Sequence, residues 1–392
     1  MNSFVKAIKW LVPAVLLLPV GLYLLLAGIN LFDSKPSVLA IDYQNQIARI
    51  KDTTSEDASN GYVFALGFTA PQIESPMALG KQRLKLLYEV DAAISTQEAE
   101  LPNVFNQINN CLNAPESPSA CVVTLLANPE MTALLTDYQW LISRYQQLIN
   151  FDHWQDTAQF EYYHPLIPFT SLQAAQQLSF LRVLSHVDKL DPQHISSMLN
   201  QEMVFWQTVA SDTYNLETKL IANAFMANNI KWGELVIARL GGAKQMKALP
   251  ASWQSALPDA VFSFEKVKVR EWNYYRYLIK GNSPDDAKAP LVTKFITWLL
   301  LPLTQQQDTA NRYVELLNPA ADLDSPASAK CSDKFKDYII NPFGKLLLCS
   351  SSPSLVSFEQ RFRETENQRA SMVSKLQQNI LSQNQLKTKV IY

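Results

Sequence analysis

From Leu11 to Phe32 the chain carries no charged residue, and beyond that run apolar positions return mostly at three- and four-residue intervals. The 22 residues of the first run would form a helix about 33 Å long, enough to cross a hydrocarbon core of ~30 Å. Pro13, Pro19, Gly21 and Gly28 would harm a helix in water but are tolerated in a membrane span. Lys6 and Lys9 precede the run, so the positive-inside rule predicts a cytoplasmic N-terminus and an external body. A cleaved signal peptide competes with this reading, but its apolar region is shorter and closes on small residues. Here Leu26 stands before Gly28, and Ile29 occupies the place of a lipidated cysteine. The expectation is an uncleaved anchor with the lipid bilayer as the partner of residues 11–32.

After a polar stalk over residues 34–60, the pattern predicts helices. One is expected near Met77 to Ala93. Another starts at Asn128, a side-chain cap followed by Pro129 and Glu130, with a stripe from Leu134 through Leu141, Tyr145 and Leu148. Asp191 and Pro192 repeat that start, ahead of Ile195, Leu199, Met203 and Trp206. Between them Thr170 or Ser171 is expected to cap a helix carrying Leu172, Leu178 and Leu184. A further helix runs from about Tyr214 to Leu240 and stops at Gly241-Gly242. Pro250 and Pro258 suggest a boundary near residues 242–262. The alternation from Lys266 to Arg270 reads equally as strand or helix. Phe295 to Leu301 is apolar, too short for a second span, and reads as a buried core helix or, alternatively, an interfacial segment. The last helix, from Ser354 to about Leu381, has a seam interrupted by Thr365 and Arg369; docking on the body is favoured over a coiled coil.

Glycine sharpens the class. Only 10 occur in 392 residues, none between Gly80 and Gly233, so phosphate loops, dinucleotide turns and tight hairpins have little material. The expected fold is all-α: an N-terminal transmembrane helix followed by a helical-hairpin bundle or short α-solenoid. The expected division is residues 1–33 as stub and anchor, 34–60 as stalk, 61–242 as a helical domain, and 243–392 as a second helical region, separate or packed with the first. A net charge of −2 offers no basic field, so no nucleic-acid partner is expected.

The four cysteines fall as two local pairs, Cys111 with Cys121 and Cys331 with Cys349, which read as disulfide staples in an oxidising compartment. A metal site would need closer spacing with histidine nearby. His153, His164, His186 and His194 form no ligand pattern, and neither metal nor cofactor is expected. Ser263-Phe264-Glu265-Lys266 matches the S-x-x-K signature but lacks its K-T-G companion. The absence of an Asn-x-Ser/Thr sequon favours a bacterial origin.

Two aromatic patches remain. Lys266, Lys268, Arg270, Trp272, Tyr274, Tyr275, Arg276 and Tyr277 concentrate cations and rings within one short stretch, a candidate surface for a partner or glycan. On a helix Trp272, Tyr275 and Arg276 would share one side, with Tyr274 and Tyr277 on another. The second patch holds Trp154, Tyr162, Tyr163 and His164. The stretch Asn60 to Pro71, from Asn60-Gly61-Tyr62 through Gly67-Phe68, together with the anchor, resembles uncharacterised membrane-anchored proteins of Gram-negative bacteria. That resemblance implies compartment and organism class, and no functional residue. The functional expectation is a periplasmic inner-membrane protein that binds or scaffolds other envelope proteins or a glycan; an enzyme acting on peptidoglycan or another envelope glycan is the alternative.

Overall fold

The computed structural model describes residues 17–50, 59–86, 108, 110–111, 118–157, 167–280, 290–318, 334–351 and 355–389. Among the described residues the regular elements are all helical, with one isolated bridge between Asn60 and His153. The all-α expectation is met. The chain divides into two compact units, one from Met1–Ile50 and Lys268–Leu355, the other from Lys51–Val267 and Val356–Tyr392.

The core of the second unit comes from helices Phe169–His186, Pro192–Asp212 and Leu216–Ala238; the last two pair as a hairpin, and the first packs on Leu216–Ala238. Local chemistry starts two of them as expected or by the same device. Asp191 accepts from the Gln193 amide at 3.2 Å and Asn215 from the Thr218 amide at 2.9 Å. The earlier helix Pro129–Asp137 is capped by Asn128 through the Glu130 amide. It ends at Tyr138, and a separate helix Gln139–Leu148 completes the stripe. Neither Thr170 nor Ser171 caps its helix, which begins at Phe169 with Pro168 in the cap position. The first of the expected helices spans Pro76–Leu86, and its remaining positions lie outside the described residues.

Aromatic rings fill the hairpin core. Trp206 lies against Phe225 with centroids 4.1 Å apart, and Phe180 stacks on Trp232. Each such buried ring contributes roughly 1.5–3 kcal/mol through the area it removes from water. The Gly61–Phe68 motif forms a buried helix, Gly61–Leu66, with a turn behind it. Arg144 donates to the carbonyls of Phe68 and Ala70 at 2.8 and 2.6 Å, and Arg83 donates to that of Leu66. These arginines satisfy loop carbonyls that a buried turn would otherwise leave without donors. The motif is therefore a structural knot.

The long C-terminal helix, Leu355–Lys389, docks in the second unit. Thr365 and Arg369, the apparent interruptions, lie buried in the docked face. Arg369 pairs with Glu366 and donates to the Trp253 carbonyl, while Phe362 meets Phe264 edge-on. The ambiguous segment from Lys266 is helical, within Glu265–Ile279.

The first unit differs from expectation in two places. Part of the expected stalk is a helix, Val38–Arg49, whose Ala40 and Tyr43 are buried; Tyr43 meets Trp272 edge-on at 5.8 Å. Phe295–Leu301, expected as buried core, lies instead in an exposed helix, Leu291–Leu300, extended by a 3-10 turn to Leu303. None of its residues is buried, and its apolar side chains stand largely exposed. The N-terminal apolar helix spans Leu17–Ile29, and among the described residues no single helix is long and apolar enough to cross a membrane. Residues 11–16 of the expected span lie outside the described residues.

Candidate functional site

The most organised polar arrangement of the first unit sits where its two apolar helices end. Asn30 follows the N-terminal helix directly. Its amide nitrogen donates to Leu26 O at 2.8 Å and Ile339 O at 3.0 Å, and its oxygen accepts from the Asn341 amide at 2.6 Å. Asn341 is fully buried and continues the chain of bonds to Asp308 (2.8 Å) and Thr309 (2.9 Å), while accepting from the Gln305 amide. Its φ of 53° is left-handed, a conformation asparagine adopts more readily than most side chains. Gly344 is required beside it, because a Cβ there would strike Thr309 and the Asn341 side chain.

Asp33 caps the next helix from a distance. Its carboxylate accepts from the amides of Gln307 (2.6 Å) and Asp308 (3.0 Å) at the start of Gln306–Leu317. Negative charge there satisfies orphan N–H groups and complements the helix dipole. Gln305 donates to Phe32 O, and Asn311 bonds both Ser37 and Lys35. The result is a polar collar tying the chain that leaves the N-terminal helix to the chain that leaves the second apolar helix. Sequence reasoning missed it; its one visible signal was Asn30, a polar residue near the end of an uncharged run.

The cation–aromatic patch is divided by the fold. In the second unit Lys266 pairs with Asp212 at 2.9 Å and lies over the Tyr214 ring. In the first, Trp272 is fully buried and donates to Ala310 O, and Arg270 is buried. Tyr275 stacks on Tyr313 with centroids 4.1 Å apart, and Lys268 bonds Asn318. Arg276 lies over the Trp272 ring, Tyr277 is half-buried, and Tyr274 is the exposed ring of the group at 40%. The face bearing Trp272 and Tyr275 is therefore core. Of the second patch, Trp154 is buried against Tyr62 and Phe205; Tyr162, Tyr163 and His164 lie outside the described residues. Cys111 and Cys121 form the expected disulfide. Cys349 is disulfide-bonded, and Cys331 lies outside the described residues.

Two of the second unit's buried ionisable groups are shifted to near neutrality, Glu202 and Lys219. Glu202 accepts from Tyr145 and Gln176 at 2.6 Å each and from Asn229 at 3.1 Å. Burial pushes its carboxyl up to about 7, against the pull of those donors. Trp206 donates to the Tyr145 hydroxyl and Trp253 to Asn229, closing the network. Lys219 donates to Ala210 O and lies over the rings of Phe264 and Phe362; burial pulls its amine down to about 7. Both groups are buried: Glu202 joins the helices that carry Tyr145, Gln176 and Asn229 to its own, and Lys219 faces rings of Phe264 and Phe362.

An open cleft of about 440 Å³ in the first unit is lined by Asp33, Gln44, Arg276, Lys280 and neighbouring glutamines. It offers one carboxylate, already engaged in capping. Among the described residues no cluster of metal-ligating side chains occurs. Comparison with protein-family models, curated proteins and solved structures finds no match to this chain.

Proposed function

We propose that the chain is a membrane-anchored envelope protein, N-terminus in the cytoplasm and body in the periplasm, that works by binding or scaffolding rather than by catalysis. The observation that carries this reading is the helix Leu17–Ile29. It is uncharged and outward-facing, with Leu18 and Leu24 more than 60% exposed, yet its end is held by the Asn30–Asn341 collar. An apolar surface of this kind is costly in water and favourable in lipid. A firmly tied exit gives the first unit a set attachment to its anchor, which suits a protein that presents surface to other envelope proteins or a glycan. A glycan-cleaving enzyme would need two carboxylates facing one cleft; the cleft lined by Asp33, Arg276 and Lys280 presents one.

C-terminal fusions test the topology. A periplasm-dependent reporter such as alkaline phosphatase should be active and a cytoplasm-dependent one silent, with the protein resistant to carbonate extraction. The reverse reporter pattern, or release by carbonate, overturns the reading.

A further inference from the structure

The helix Leu291–Leu303 has no place in the hydrophobic core of its unit. Leu291, Val292, Phe295 and Trp298 are each at least 60% exposed, and Lys294 is its one ionisable residue. A contiguous apolar surface of that kind marks an interaction site. Three observations select its occupant.

The first is continuity. Tyr23, midway along the N-terminal apolar helix, donates its hydroxyl to Leu299 O at 3.0 Å. Two helices with outward apolar side chains therefore touch. The collar binds the segments that follow both, through Gln305 to Phe32 O.

The second is backbone chemistry. Pro302 has no N–H, so one carbonyl of the preceding turn, that of Trp298 or Leu299, loses its helical donor. The Tyr23 hydroxyl covers Leu299 O, and the Thr304 hydroxyl adds a bond to Leu300 O at the helix end, at 3.0 Å. Water would satisfy such carbonyls on an exposed surface. Hydrocarbon cannot, and there a broken helix needs hydroxyl donors from its neighbours.

The third is length. Ten α-helical and three 3-10 residues extend about 21 Å, short of the ~30 Å hydrocarbon core. The element can enter the bilayer and cannot cross it.

We propose that Leu291–Leu303 is a second membrane-embedded element, seated in lipid hydrocarbon beside the N-terminal helix. This rests on the anchored reading above and deepens it. One helix alone lets a body turn about the helix axis; a second, off-axis contact removes that freedom and sets which face of the first unit points along the membrane.

The test uses the full chain in phosphatidylcholine–phosphatidylglycerol vesicles, with an environment-sensitive dye on one introduced cysteine at a time. Phe295→Cys and Ile296→Cys probe the element, Leu24→Cys the N-terminal helix, and Val204→Cys an exposed site of the second unit. All four replaced side chains are surface-exposed, and the two element variants guard against misfolding of either one. Nitroxide on lipid acyl chains should quench the dye at residues 295, 296 and 24 several-fold more than a water-soluble nickel chelate does, with the order reversed at residue 204. Aqueous quenching at 295 and 296 with lipid quenching at 24 overturns this inference and leaves the anchor standing. Aqueous quenching at all three sites removes the anchored reading itself. Shielding of 295 and 296 from both quenchers indicates a protein partner on this face and also overturns the inference.

Discussion

Replacing Glu202 by Gln should change how stability depends on pH, and the size of the change follows from the network around it. The carboxylate accepts three hydrogen bonds, from Tyr145, Gln176 and Asn229, yet burial holds its pKa near 7 against an ordinary 4.5. Between those values the folded state binds more proton than the unfolded state, so stability falls as pH rises. At about 1.4 kcal/mol per pKa unit, the full penalty is on the order of 3 kcal/mol, with about 2–3 kcal/mol of it developing between pH 5 and 8. The Gln variant removes that slope. It also turns an N–H toward a donor, Asn229 or the Tyr145–Gln176 pair, which costs about 1–3 kcal/mol at every pH. Glu202→Gln should therefore be the less stable protein at pH 5 and close to the wild type, or above it, at pH 8. Urea denaturation of the second unit's tryptophan signal in full-length protein, at half-unit pH steps, gives the difference directly. Glu366, whose carboxyl is held below its ordinary value against the cost of burial by Arg369 and the Leu257 amide, cancels in that difference. A gap between the two proteins that stays constant with pH would refute the raised carboxyl.

The collar and the divided patch give two more expectations. Asn30→Ala leaves the buried Asn341 amide without its acceptor and Ile339 O without a donor, a loss of about 2–4 kcal/mol; hydrogen exchange should speed up at Asn341 and Gln305 while the Pro192–Asp212 helix keeps its protection. Unchanged exchange at Asn341 would refute the collar as a unit. Trp272→Ala should cost about 3–5 kcal/mol by opening a cavity, whereas Tyr274→Ala, at an exposed ring, should shift stability by less than about 0.5 kcal/mol; equal melting temperatures for the two variants would contradict the assignment of faces.

What was legible in the sequence was local. Asn128 and Asp191 announce their helices because a cap uses atoms two residues away. The Cys111–Cys121 staple was readable for the same reason. Apolar composition alone did not place Phe295–Leu301, since a core helix and a lipid-facing helix want the same side chains and differ only in what lies opposite. The Lys266–Tyr277 cluster drew attention as a surface through its density of rings and cations. Burial divides it, and only packing against Tyr43, Ala310 and Tyr313 shows which rings face inward. The collar was invisible because Asn30 and Asn341 are 311 positions apart. The Glu202 network draws donors from three other helices in the same way.

The division of the chain also has a consequence in time. The first unit is assembled from Met1–Ile50 and Lys268–Leu355, with most of the second unit's chain between them. At roughly 5–20 residues per second, the ribosome needs on the order of 15–60 s to pass from Ile50 to the end of that unit. Throughout that interval Asn30 and Asp33 await the partners that will hold them, and the helix before them must sit in its environment with its exit untied. Final attachment of the body is thus a late event of synthesis, and any factor that guards the nascent protein has the exit of the first apolar helix to protect.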